Sequence, residues 1–134
     1  MKPFTLDSSM TTMAGVFYPT GHMFVMFPTR ADAEQASEAL VQAGVESDEI
    51  SLVTPEMIHG QIARTVGSSD IPLPSAGTEG DTVRRFAELA SQGHHALLVH
   101  APKAQDSDQA MEALKPFPIS YAQKYRQLVI QDLV

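Results

Sequence analysis

With 134 residues, 43% of them hydrophobic and 19% charged, the chain has the make-up of one ordinary globular domain, long enough to bury roughly two-thirds of its unfolded surface. Cysteine is absent, which excludes disulfides, thiolate metal sites and cysteine nucleophiles; asparagine is absent too, which excludes N-glycosylation. The formal net charge is −7, and between residues 30 and 50 a single cation, Arg30, faces Asp32, Glu34, Glu38, Glu46, Asp48 and Glu49, so nucleic acid and anionic membranes are disfavoured as partners.

The N-terminal residues Met1 to Asp7 carry one Lys with no long apolar run behind it, and no stretch approaches the roughly 20 apolar residues that span a bilayer. A cytoplasmic location is the expectation. Residues 1–21 lack periodicity and are broken by Gly15, Pro19 and Gly21; they read as a loosely structured arm of which Val16-Phe17-Tyr18 packs. Residues 22–134 read as one domain.

His22 to Phe27 is an apolar run closed by Pro28, the pattern of a strand buried on both faces. Thr29, with Asp32 three residues on, caps a helix whose apolar positions Ala33, Ala36, Leu40 and Val41 recur at helical spacing and which Gly44 ends. Glu49 to Val53 is a short strand. Thr54-Pro55 starts a second helix with Ile58, Ile62 and Val66 on its apolar stripe. Residues 67–80, rich in Gly, Pro and Ser, read as a loop. Thr78 or Asp81 caps a third helix carrying Val83, Phe86, Ala87 and Ala90. His94 to Ala101 is a second strongly apolar strand, Asp106-Ser107 caps a fourth helix, and Ile119 to Tyr121 opens a last strand. The tail from Lys124 suits a helix through Tyr125, Leu128 and Val129, or a strand through Leu128-Val129-Ile130.

The order is β-α-β, an inserted helical stretch at about 54–92, then β-α-β. It predicts an α/β (α+β) fold of the ferredoxin-like, split β-α-β kind, with a four-stranded antiparallel sheet and the two most apolar strands side by side in its centre. Phe24 and Met26 then face one side of the first strand and Met23, Val25 and Phe27 the other; along the third, Leu97 and Val99 share one side and Ala96 and Leu98 the other. Both faces are apolar, so the inserted segment or a second copy of the chain must cover the one the other helices leave bare. A homodimer is the favoured expectation.

Two runs, GHMFVMFPTRADAEQASEALVQAGVESDEISLVT and FAELASQGHHALLVHAP, resemble the bacterial heat-induced stress-protein domain (the YflT-like, general stress protein family) over residues 20–53 and 82–101. The resemblance is one of core positions and turns. It implies a small stress-associated domain with no established catalytic residue, so no site residue is carried over.

Five histidines are the main chemical resource. His94 and His95 point to opposite faces of a strand, and His94 and His100 lie about 20 Å apart along it, so one strand cannot bring them to one ion. Antiparallel pairing of the two central strands, however, brings the start of the first to the end of the third. His22 and His100 would meet there, with Tyr18 close by, a set able to bind a small molecule or a divalent metal or to move a proton near neutral pH. Arg84-Arg85 and the Glu34/Glu38 pair read as solvated helix faces, and the seven methionines as packing. No nucleophile elbow, phosphate loop, dinucleotide fingerprint or zinc-protease motif occurs, and no cofactor is expected. The sequence supports two functions. The first is a non-enzymatic stress- or regulation-associated domain acting by self-association and through a protein partner. The alternative is a small-molecule- or metal-binding domain, or a modest enzyme, built around Tyr18, His22 and His100.

Overall fold

Alternation of apolar side chains to both faces sets the architecture. The computed structural model describes residues 1–11, 15–66, 77–126 and 130–133. Its strands are β1 (Lys2–Pro3), β2 (His22–Phe27), β3 (Ile50–Val53), β4 (His95–His100), β5 (Tyr121–Tyr125) and β6 (Ile130–Asp132). Its helices are α1 (Arg30–Gln42), α2 (Pro55–Met57), α3 (Gly77–Ser91) and α4 (Ala104–Leu114). The fold is mixed α/β.

The strands form one sheet in the order β1-β3-β4-β2-β5-β6. The two most apolar strands, β2 and β4, lie side by side at its centre and run antiparallel, with His22 opposite His100 and Phe27 opposite His95. β3 pairs antiparallel with β4, β5 with β2, and β6 with β5. The expected four-stranded antiparallel sheet is therefore corrected to a six-stranded mixed one. β1 adds to β3 in parallel, pairing Lys2 with Ser51, and β6 extends the other edge. β1 carries no strand signature, being two exposed residues; β6 starts at Ile130, the last residue of the strand alternative for the tail, whose residues 128 and 129 lie outside the described residues.

Local chemistry explains the helix starts. The Thr29 hydroxyl accepts from the Asp32 backbone N–H at 3.1 Å and donates to the Asp32 carboxylate at 2.8 Å, tying off the first turn of α1. Gly44, at φ 105°, ends it in the left-handed region where a side chain is disfavoured. Thr54 accepts from Met57 N at 3.2 Å, and Pro55 occupies the first helical position. Beyond Met57 the chain departs from the regular helix expected: α2 passes into a π-turn at Ile58–Ile62 and a 3₁₀-turn at Ala63–Val66. Wider winding still buries Ile58 and Ile62 completely. α4 begins at Ala104, before the expected Asp106-Ser107 cap; Asp106 instead reaches back to accept from Lys103 N at 3.1 Å. Of the expected 67–80 loop, residues 67–76 lie outside the described residues and 77–80 already belong to α3.

Two apolar layers sandwich the sheet. Met23, Val25, Phe27, Leu97 and Val99 pack with Ala33, Ala36 and Leu40 of α1 and with Ala110 and Leu114 of α4. On the opposite face Phe24, Met26, Ala96 and Leu98 pack with Ile58, Ile62, Val83 and Phe86. The second face is thus covered by the inserted segment, one of the two expected solutions. The N-terminal arm joins it: Phe4, Val16, Phe17 and Tyr18 are all buried in the same layer. Phe24 and Phe86 stack with ring centroids 4.1 Å apart, and Phe17 meets Phe24 edge-on at 5.8 Å.

Candidate functional site

The β2–β4 register fixes the chemistry at one end of the sheet. His22 opens β2 and His100 closes β4, and their ring centroids are 4.9 Å apart. Gly21, at φ 79°, makes the turn into β2 and donates from its N–H to Tyr125 O at 2.8 Å. The loop before it presents the Thr20 carbonyl to His22 Nδ1 at 3.0 Å. A carbonyl can only accept, so Nδ1 carries the hydrogen and Nε2 of neutral His22 is left with a lone pair. Burial is the largest influence on this imidazole and holds its pKa below the usual 6.5; the nearby His100 and Lys2 push in the same direction, against the Thr20 and Pro19 carbonyls.

His100 is oriented from the neighbouring strand. Its Nδ1 lies 3.5 Å from the Glu49 carboxylate, which sits one residue before the Ile50–Val99 pair. A carboxylate facing Nδ1 again leaves Nε2 as the ring's open nitrogen.

Both imidazoles line a cavity of about 400 Å³. β1 and the turn after it form one wall, through Lys2, Pro3 and Asp7; Met10 and Leu98 add apolar surface, and Asp48 and Glu49 line the far side. Asp7 is pinned by the Ser9 hydroxyl and Ser9 N–H, and these two bonds lower its carboxyl pKa, keeping the group ionised. The lining carries three carboxylates against one ammonium, two imidazoles whose Nδ1 atoms face the Thr20 carbonyl and the Glu49 carboxylate, and the hydroxyls of Thr5 and Ser51. It is a surface rich in acceptors and negative in charge.

The structure brings together two of the three expected site residues. His22 and His100 meet as strand order predicts. Tyr18 does not line the cavity: its ring packs edge-on against Tyr125 at 4.9 Å, and its hydroxyl donates to the Arg126 carbonyl at 2.6 Å. The remaining histidines are separate: His94 Nδ1 meets Ser120 Oγ at 2.9 Å, His95 Nδ1 meets Gly93 O at 3.0 Å, and His59 lies 3.5 Å from Ser91 Oγ. Among the described residues no three His, Asp or Glu side chains are grouped to hold a metal ion. Arg84 and Arg85 pair within α3 to Asp81 and Glu88, and Arg30 pairs to Glu34 in α1, all on exposed surface. Sequence reasoning missed Glu49, Asp48, Asp7 and Lys2. The first two follow from the topology, since residues just before β3 must sit beside the end of β4; the arm residues carried no signal.

No described helix is long and apolar enough to cross a membrane. No family model, curated protein or solved structure matches the chain.

Proposed function

We propose that the chain is a binding domain for a small aliphatic amine, a diamine or polyamine, held in the His22–His100 cavity. The carrying observation is the paired imidazoles, 4.9 Å apart, over a lining with three carboxylates and one ammonium. An alkylammonium group supplies N–H donors and positive charge beyond the single ammonium of Lys2, which leaves the three carboxylates in excess. Pro3, Met10 and Leu98 offer apolar surface for the methylene chain between two amine ends. An organic cation is favoured over a metal ion because coordination needs converging ligands, and the described side chains do not form such a group.

Calorimetric titration with putrescine and spermidine, against sodium phosphate as an anionic control, tests this. The reading expects saturable heat with the amines only, and affinity weakened about tenfold, or about 1.4 kcal/mol, in the His22→Gln/His100→Gln double variant. Phosphate binding in place of amine binding, or amine binding untouched by the double substitution, overturns it.

For the fold, we read the inner strands β3, β4, β2 and β5 as a ferredoxin-like, split β-α-β core; the alternating strand directions and the connections through α1 and α4 support that reading. A cytoplasmic, stress- or regulation-associated domain that self-associates or engages a protein partner is the competing proposal. Its motive was a bare apolar sheet face. The packing of Ile58, Ile62, Val83 and Phe86 on that face removes the motive, so amine binding ranks first.

A further inference from the structure

A second cavity, of about 500 Å³, opens between β5 and the start of α4 and is lined by Lys124, Arg126, Ser107 and Asp108 among others. Lys124 lies opposite Met23 in the register, on the face packed by α1 and α4, and only 4% of it is exposed. A lysine in that setting needs an account of its hydrogens. Its Nζ donates to the Ala101 carbonyl and to Ser107 Oγ, and Ser107 in turn is 3.5 Å from the Lys103 carbonyl as its own acceptor. Two hydrogens therefore have two acceptors. Among the described residues no carboxylate lies within ion-pair distance of Nζ, so a third hydrogen has no anionic partner there. The neutral amine fits this arrangement: two N–H groups satisfied and one lone pair left over.

We propose that Lys124 is a nucleophilic amine that forms an imine with a small 2-oxo acid entering this cavity, the acid's carboxylate being met by Arg126. Attack by the Nζ lone pair on the oxo carbon forms the C–N bond and a carbinolamine. Proton transfer to its oxygen, with loss of a proton from nitrogen, releases that oxygen as water and leaves the C=N bond. No oxidant or reductant is needed. Asp108, on the same lining, is a carboxylate for the proton transfers. Burial is the main cause that lowers the Lys124 pKa from 10.5, and the Arg126 charge lowers it further, against Asp106 and Asp108, which raise it.

Reductive trapping tests the assignment on the intact chain. The protein is incubated at pH 7.5 with glyoxylate or pyruvate and sodium cyanoborohydride, and the adducts are mapped by peptide mass spectrometry. The chain offers Lys2, Lys103, Lys115 and Lys124 in competition. Lys124, the buried one, should carry at least tenfold more adduct than any other lysine. Arg126→Ala should cut the glyoxylate yield at Lys124 several-fold while leaving the yield with neutral glycolaldehyde unchanged. Labelling that follows exposure, with Lys124 the least modified, overturns the nucleophile. Equal loss with both probes, or no loss with either, overturns the carboxylate's pairing with Arg126.

Discussion

His22 makes the folded state sensitive to acid. Its folded pKa lies below the unfolded 6.5 because burial disfavours the imidazolium. The unfolded chain therefore takes up the proton first as pH falls. Stability is fully present above about 6.5 and is lost as pH drops through the folded value. Urea midpoints at pH 7.5 and pH 5 should thus differ more for the wild type than for His22→Gln, which cannot titrate. An equal pH dependence in both proteins would remove His22 as the cause. At this scale the sequence was readable where strand order alone places a residue, as for His22 and His100. It was not readable for Tyr18, whose position depends on how the arm folds back and whose ring is taken up by Tyr125. Lys124 was unreadable for a different reason. A charged residue in a strand is expected to face water, and only the Ala101 carbonyl and Ser107 hydroxyl, from the loop after β4 and from α4, make an inward position tolerable.

Among the elements, α3 matters most for closing the second face. Phe86 is fully buried, stacked on Phe24 and edge-on to Tyr121 at 5.7 Å. Phe86→Ala should cost about 3–5 kcal/mol, from lost burial and the cavity left behind, read as a lowered denaturant midpoint at an unchanged slope. A loss under about 1 kcal/mol would mean that α3 is only loosely attached and that the second face is not sealed by it. The apolar periodicities of α1 and of β2 and β4 carried the sequence reading, because each is long enough for its pattern to repeat. α2 escaped it: the spacing of Ile58 and Ile62 is shared by an α-helix and a π-turn, so burial of the two side chains does not decide the winding. The two-residue β1 escaped as well, since its parallel pairing to β3 is a tertiary choice with no local signature.

Across the described residues, one sheet with an apolar layer on each face buries most of the large apolar side chains, while Met1 and Val41, an expected stripe position of α1, stay exposed. The proposed binding face is polar and lies at the end of the sheet, where β2 starts, β4 stops and β1 docks. A net charge of −7 adds a field that draws small cations and repels anions, an effect that salt screens within a Debye length of about 8 Å at physiological ionic strength. The most direct test of the amine site is a long-range ¹H–¹⁵N spectrum of the five imidazoles recorded during titration with putrescine. The free protein should show His22 protonated on Nδ1, and the ring nitrogens of His22 and His100 alone should shift as the amine is added. Unchanged His22 and His100 signals, or equal shifts at His59, His94 and His95, would contradict the site.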